Sequence, residues 1–398
     1  MRKRFQKTEI ILENPIKITK LAPTGQGISE LPDGMKVFLW NALPGETVSR
    51  FLMTKRKAHF AEGIATEISE KSADRIEPRD THFLSTSPWQ IMVETYEKSA
   101  KEALLDELFE HELGIDNEVL LTESPDNYHY RNKMEYAFYY DLADEKIKLA
   151  VHERGSHRKV PITDSNIERK EIFEKATEIV NELNARNEEA RKYQSMLLRC
   201  NQAGEVSGGL YENGKPHPVF PKLKDSLLGH EFSYSPNGFF QINIPVYELA
   251  LKRIKELVPA DAMKILDLYS GVGTIGLSVA DGKDLTLVEV DKSAYAELEE
   301  NAKEFPNAKP VLAKSEEVLD FITPDSVVIL DPPRAGCDEK IIERLLEVHP
   351  KKIIYLSCNP ITQARDVKML MEKYAVKTVD AFNFFPRTPH VESLMSLE

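Results

Sequence analysis

Four short runs set reactive side chains beside residues that stiffen the backbone. Ser357-Cys358-Asn359-Pro360 puts a thiol at the end of an expected strand, where Pro360 turns the chain out and a helix is expected from about residue 362. The thiolate is the nucleophilic form of cysteine, and helix N-terminal amides favour it, so Cys358 is a candidate nucleophile. A buried cysteine is as often a small core residue, and strand-end placement alone leaves both uses open. Near the C-terminus, Pro386-Arg387-Thr388-Pro389-His390-Val391-Glu392 brackets a rigid loop that ends in an acid–base candidate pair. An unperturbed histidine such as His390 titrates near neutral pH, and a partly buried Glu392 can serve as a general base. A hydrogen-bonded structural histidine and a surface carboxylate are the plain alternatives.

Asp331-Pro332-Pro333-Arg334 follows an expected strand at 327–330. Two prolines after an acid give an extended loop without amide donors. A rigid carboxylate at a sheet edge suits gripping a planar base by its ring N–H, although a capped turn has the same pattern. Asp267-Leu268-Tyr269-Ser270-Gly271-Val272-Gly273-Thr274 also follows a strand, and Gly276 completes a GxGxxG spacing. Glycines let a backbone turn sharply and approach a ligand, and the next helix offers its amides. Glu289, at the end of the following strand, is placed to hold ribose hydroxyls. Ribose occurs in nicotinamide cofactors and in S-adenosylmethionine alike, so the spacing does not choose between them.

The elements that must carry these runs alternate from residue 263 onward. Strands are expected at 265–269, 285–290, 327–330 and 352–357, and helices at 271–280, 292–305, 338–349 and 362–374. Such alternation predicts a parallel sheet with right-handed crossovers and functional groups at the strands' carboxyl ends. The first seventy residues hold short apolar runs split by turn signals at Pro23, Gly25, Gly27, Pro32-Asp33-Gly34 and Pro44-Gly45, which predicts a five-stranded barrel of the oligonucleotide-binding kind. Residues 95–113 and 168–187 are helical in period, and 130–161 read as short strands. The expected architecture is α/β: a β-barrel at 1–70, a helical connection at 71–125, a central α+β domain at 126–225 and a Rossmann-like domain at 226–398.

With 398 residues, several domains are expected. The first twelve residues are basic, but no long apolar stretch follows, so a cytoplasmic, membrane-free monomer is expected. The net charge of −13 argues against nucleic-acid binding only if charge is spread evenly. Basic runs exist at Arg50, Lys55, Arg56 and Lys57, and at His152, Arg154, His157, Arg158 and Lys159. The cysteines Cys200, Cys337 and Cys358 form no CxxC pair, which disfavours a disulfide framework and a metal site.

Together these runs resemble the RNA uridine-5-methyltransferase family over nearly the whole chain. The stretch 14–68, with Gly25-Gln26-Gly27 and Leu43-Pro44-Gly45-Glu46, resembles that family's N-terminal TRAM domain. Tyr130-Arg131-Asn132-Lys133 resembles the entry to its central domain, and Phe239-Phe240-Gln241-Ile242-Asn243 the opening of its catalytic domain. Ser357-Cys358-Asn359-Pro360 with Arg365-Asp366, then Pro389-His390-Val391-Glu392, are the most specific matches. The resemblance implies a class I fold and S-adenosylmethionine as cofactor, contacted by Gln241, Tyr269, Gly271, Gly273, Thr274, Glu289 and Asp331. It implies Cys358 as nucleophile and Glu392 as base, with Asp331, Arg131 and His390 toward the substrate.

The implied chemistry is addition of a thiolate to carbon 6 of uracil, which makes carbon 5 electron-rich, followed by methylation, proton removal and elimination. The implied partner is RNA. A TRAM-like domain points to a 23S rRNA uridine, with transfer RNA as the alternative. A methyltransferase for an exocyclic amine, a non-catalytic RNA-binding protein and a nicotinamide-dependent oxidoreductase are the competing readings. Two departures stand out. Asp80, Thr86, Trp89 and Ser165 occupy positions where many members carry iron–sulfur ligands, so no cluster is expected and Trp89 with apolar neighbours is expected to fill the space. Ala313-Lys314-Ser315 replaces an acidic residue often found near the cofactor's adenine.

Overall fold

The computed structural model describes residues 7–116 and 118–398. Residues 1–6 of the basic N-terminal run lie outside the described residues. Between the turn signals the chain forms β1 (Thr8–Lys17), β2 (Lys20–Leu21), β3 (Gly27–Glu30), β4 (Lys36–Trp40), β5 (Thr47–Arg56) and β6 (Phe60–Glu70). They pair in the order β1-β5-β6-β4-β3-β2, so the sheet has six strands rather than five. The additional strand is the two-residue β2, too short to leave an alternation pattern. Ile16, Val37, Leu39, Val48, Phe51, Met53, Ala61 and Ala65 bury together. One sheet that fills its own interior must curl around it.

Two helices follow, α1 (Phe83–Thr86) and α2 (Glu94–Leu113), then β7 (Leu121–Thr122). The central sheet comprises β8 (Lys133–Asp141), β9 (Lys146–His152), β10 (Lys159–Pro161), β11 (Ser195–Cys200), β12 (Val206–Glu212) and β13 (Lys215–His217), ordered β10-β9-β8-β11-β12-β13. Helix α3 (Lys170–Ala185) lays Ile172, Ala176, Val180 and Leu183 on that sheet, an i, i+4 stripe typical of a helix with one buried face.

The hairpin β14 (Leu223–Leu227)–β15 (His230–Tyr234) and α4 (Ile244–Leu257) lead into β16 (Lys264–Leu268), α5 (Thr274–Val279), β17 (Asp284–Glu289), α6 (Lys292–Asn301), β18 (Ala308–Leu312), β19 (Ser326–Leu330), α7 (Glu339–Val348), β20 (Lys352–Ser357), α8 (Pro360–Leu370), β21 (Val376–Phe382) and β22 (Glu392–Leu397). The sheet order is β18-β17-β16-β19-β20-β22-β21-β7. The first five strands are parallel, and the order reverses between β16 and β19, which opens a crevice at their carboxyl ends.

Alternation predicts a parallel sheet throughout, and its far edge departs from this: β22 runs antiparallel to both β20 and β21. The cause is the connection 383–391, a loop with no helix, which can only return the chain antiparallel. The stretch expected as a connection is also more than that. Leu105, Phe109 and Leu113 of α2 and Leu121 of β7 bury in the same core as β16, β19 and β20, and β7 adds an edge strand beside β21. Leu223 and Leu227 likewise bury with the parallel sheet's other core, so that core begins before residue 226.

Among the described residues, no helix is long and apolar enough to cross a membrane. None of their His, Cys, Asp and Glu side chains cluster in a group able to hold a metal ion.

Candidate active site

Antiparallel register brings the two most specific motifs together. Ser357 of β20 pairs with Ser393 of β22, so the next rung sets Cys358 opposite Glu392. Gln363, one turn into α8, locks this rung: its amide donates to Tyr355 O at 2.8 Å and Ser393 O at 3.2 Å, and it accepts from Ser393 Oγ at 2.5 Å. Helix α8 starts at Pro360, earlier than expected, which puts Cys358 two residues before its first turn. Cys200 and Cys337 are buried, while Cys358 is only half-buried.

The Asp331–Gly336 loop is fastened to the same helix. Asn359 Nδ2 and Thr362 Oγ1 donate to Arg334 O at 2.9 and 3.2 Å. Asp366 accepts from Cys337 N and Tyr355 OH, both at 2.8 Å, and from Arg365. A Cβ at Gly336 would lie 2.6 Å from both Arg365 and Asp366, so only glycine lets the loop sit this close.

The electrostatics correct one expectation. Burial, then the Glu392 and Asp331 carboxylates, push the Cys358 thiol up to about 11, and Arg334 alone pulls it down. A helix N-terminus next to the sulfur therefore does not leave a resting thiolate. The Glu392 carboxyl is buried with no hydrogen bond or ion pair among the described residues, and desolvation followed by Asp331 raises it well above the carboxylate range. Desolvation also lifts Asp331 to about 7. Arg334 is thus the cation of the site, a role that its motif alone did not reveal.

Beside this centre lies the glycine loop, at the mouth of the β16–β19 crevice. Gly271 has φ +55°, and a Cβ built there meets nothing within 4 Å. Its amide donates to Glu289 Oε2 at 2.8 Å, while Glu289 Oε1 accepts from Val290 N and Asp291 N. The carboxylate expected at ribose is thereby fixed by three amides. Tyr269 also adopts a positive φ of 64°, unusual for an aromatic residue. Gly273 and Gly276 serve packing: added Cβ atoms would meet Leu298 at 2.5 Å and Asp267 at 2.7 Å. Thr274 turns inward, its hydroxyl 2.6 Å from Tyr247 OH. Gln241 is buried, and its side-chain amide makes no hydrogen bond among the described residues. An open positive-φ glycine, a pinned carboxylate and the Asp331 carboxyl, which has no hydrogen-bond partner among the described residues, fit a ribose-bearing cofactor.

A buried clamp that the sequence reading missed holds the loop of His390 and Glu392. Lys101 Nζ donates to Glu97 at 2.9 Å, Asn383 Oδ1 at 2.7 Å and Phe385 O at 3.2 Å. Arg387 pairs with Glu97 and donates to Trp89 O and Met92 O, and Tyr130 OH donates to Pro386 O at 3.0 Å. Sequence separation of nearly three hundred residues hid these partners. His390 presents an exposed surface. Loss of water around its ring, then Arg334, Lys101, Arg154 and Arg131, push it down to about 4, so it is neutral at pH 7 rather than titrating there. Arg131 keeps its place in this cationic rim, its Nε bonded to Lys133 O at 2.9 Å.

The positions matching cluster ligands are knitted mainly by polar groups. Asp80 accepts from Asn166 N and Nδ2 at 2.9 and 2.7 Å and from Gln90 Nε2 at 2.6 Å. Ser165 donates to Glu168, which also accepts from Tyr136 OH. Trp89 packs with Leu21, Leu43, Ile91 and Met92 as expected, but its ring N–H donates to Gly25 O at 2.9 Å, tying it to the N-terminal sheet.

A family model described as tRNA (Uracil-5-)-methyltransferase matches residues 318–398, the segment with Asp331, Cys358 and Glu392. An uncharacterized RNA methyltransferase of Lactobacillus johnsonii is 32% identical, with 99% of each chain covered. One from Bacillus cereus is 29% identical, with 98% of each covered. The crystal structure of Pyrococcus abyssi tRNA (uracil-54, C5)-methyltransferase in complex with S-adenosyl-L-homocysteine superposes with a TM-score of 0.77 at 25% identity. That match spans 96% of this chain and 100% of the other, and it identifies the crevice-bearing sheet as a class I methyltransferase fold. Similarity of this extent, end to end, makes the chain a member of the RNA uracil-5-methyltransferase family.

Proposed function

We propose that this protein methylates carbon 5 of a uridine in RNA with S-adenosylmethionine, Cys358 acting as nucleophile and Glu392 as base. The observation that carries this is the Ser357–Ser393 register, which faces the family's thiol with a buried carboxyl that has no hydrogen-bond partner among the described residues. Gln241, Tyr269, Gly271, Gly273, Glu289 and Asp331 would hold the cofactor, with Thr274 contributing only its backbone. When bound, S-adenosylmethionine supplies an electrophilic methyl group to a carbon that the enzyme has made electron-rich.

Each residue's part follows from its surroundings. Cys358 bonds carbon 6, and the C5–C6 electron pair moves toward O4 as an enolate. Arg334 favours the charged form of both the thiol and Glu392. Thiolate and carboxylate repel, so negative charge sits on one at a time. The thiol gives its proton to water before addition while Glu392 stays protonated, and Glu392 releases its own proton to water once sulfur is a neutral thioether. Glu392 then takes the carbon-5 proton, the C5–C6 double bond reforms and the thiolate leaves. Asp331 orients the base, and Arg131 and His390 line the approach.

The curled N-terminal sheet supports an RNA-binding, TRAM-like role for residues 1–70, with 126–225 as a central domain and α2 and β7 joined to the methyltransferase unit. A 23S rRNA target rests on that sheet. The Pyrococcus abyssi protein matches over the same span and is a transfer RNA enzyme, which favours tRNA as the second reading. Incubation with 5-fluorouridine RNA tests the chemistry: a covalent complex absent from Cys358→Ala supports it, and no complex in the parent protein refutes it. Mapping 5-methyluridine in both RNAs with and without the gene assigns the substrate.

A further inference from the structure

Glu392 sits at the open end of a ladder. Ser357–Ser393 is the last residue pair between β20 and β22, so the ladder itself does not hold the rung of Cys358 and Glu392. Strand β21 pairs with β22 on its other side, at Ala381 and Phe382, and leaves its spacing from β20 open. Cys358 has separate restraints. Ser357 Oγ accepts from Asn359 N at 3.1 Å and donates to Asn359 O at 3.2 Å, and Asn359 Nδ2 donates to Arg334 O at 2.9 Å.

The side chain of Gln363 closes that open end. It is wholly buried and spans both strands, its Nε2 donating to Tyr355 O of β20 and Ser393 O of β22 while its Oε1 accepts from Ser393 Oγ. A side-chain amide carries two N–H donors and a carbonyl, so it can make all three bonds at once. It does this from behind. Side chains alternate across a strand. Tyr355 and Met395 bury with Ala364, Val367 and Leu370 of α8, whereas Leu356 and Leu394 bury on the opposite face with Ile244, Ala250 and Leu251 of α4. Ser393 reaches Gln363 and therefore faces α8. Glu392, one residue earlier, faces α4 with Leu394, and there its charge acts on the Cys358 thiol. The sheet thus separates Gln363 from any base held between thiol and carboxyl.

We infer that Gln363 is a positioning residue for proton removal: from the far face of the sheet it sets how far Glu392 stands from Cys358, and so from carbon 5 of a uracil bonded to that thiol. This rests on the uridine-methylation reading above and assigns one of its steps to a residue that does not touch the substrate. Two of the three side-chain bonds go to Ser393, next to Glu392. Without them Cys358 keeps its Ser357–Asn359 and Asn359–Arg334 bonds, so the base shifts and the nucleophile stays.

The test uses the full-length protein and two single-turnover rates with S-adenosylmethionine. 5-Fluorouridine RNA carries fluorine in place of the carbon-5 proton, so its adduct rate reports thiol addition and methylation alone. Release of tritium from 5-tritiated uridine RNA reports proton removal. Gln363→Met keeps the length of the side chain and loses its donors. Tritium release should fall ~10- to 100-fold in that variant, the scale of displacing a reacting group by about an ångström, while the fluorouridine adduct forms at close to the parent rate. Ser393→Ala removes one bond of the three and should shift the ratio of the two rates the same way by less, which keeps the test valid if Gln363→Met fails to fold. Equal loss of both rates in a folded variant would overturn the inference, because it marks a residue that only supports the fold. An unchanged tritium rate would overturn it as well. A parent protein that forms no fluorouridine adduct would refute the methylation reading, whereas a parent that forms it and variants that keep its ratio would refute the role of Gln363 alone.

Discussion

Arg387 donates its guanidinium to Glu97 Oε2 at 3.0 Å while its own backbone amide donates to Glu97 Oε1 at 2.9 Å. One buried carboxylate of α2 thus holds both the side chain and the main chain of a residue five positions before Glu392. Arg387 has φ +62°, a conformation that needs such outside restraint.

Removing this carboxylate should be severe. Glu97→Ala leaves Arg387 and Lys101 as buried cations without their anion, and such breakage costs about 3–5 kcal/mol. Urea unfolding should show that loss. Glu97→Gln keeps the acceptor oxygen and should lose less, while lowering kcat more than it raises KM because the loop of Glu392 loosens. A Glu97→Ala protein as stable as the parent would contradict the clamp.

The roles of the thiol and the carboxyl separate in the two single variants. Cys358→Ala should form no adduct with any uridine RNA. Glu392→Gln should still add and accept the methyl group but fail to shed the carbon-5 proton, so a methylated covalent complex should accumulate on gels. Turnover should fall by roughly 10²–10⁴-fold, the usual worth of a general base.

Adduct formation should depend on pH in a direction set by the thiol. The reactive form is deprotonated and the thiol titrates near 11, so the single-turnover rate with 5-fluorouridine RNA should climb from pH 7 toward that value. Arg334 lowers the thiol, so Arg334→Gln should move the rise to higher pH and slow the reaction at neutral pH. An unshifted profile in that variant would remove Arg334 from the site.

Polar bonds at the cluster-ligand positions predict insensitivity to metal chemistry. Chelators and oxidants should leave the melting temperature unchanged, and metal analysis should find no stoichiometric iron. Asp80→Ala strips acceptors from Asn166 and Gln90, and should cost on the order of 2–4 kcal/mol in a denaturation experiment.

How much of this was legible before folding differs from residue to residue. The parallel strands β16, β17, β19 and β20 and their turns were readable because hydrophobic runs and glycine or proline breaks are local signals. Cys358, Asp331 and Glu289 sit at ends of such runs, while Glu392 closes a proline-bracketed loop. Strand β18 was not readable, because Lys309 and Pro310 interrupt its apolar residues. The two-residue β2 and the strand reversal at β22 were not, since a short strand has no period and direction depends on the connection.

Sequence alone determined which reactive groups exist and which strand ends present them, because periodicity and loop chemistry act over a few residues. Tertiary structure decided their protonation, their partners and their restraint. Burial beside Asp331 makes Glu392 a reluctant acid, Arg334 becomes the cation of the site, and Glu97 reaches Arg387 across the chain. Those outcomes depend on which distant segments exclude water together, and no local pattern records that.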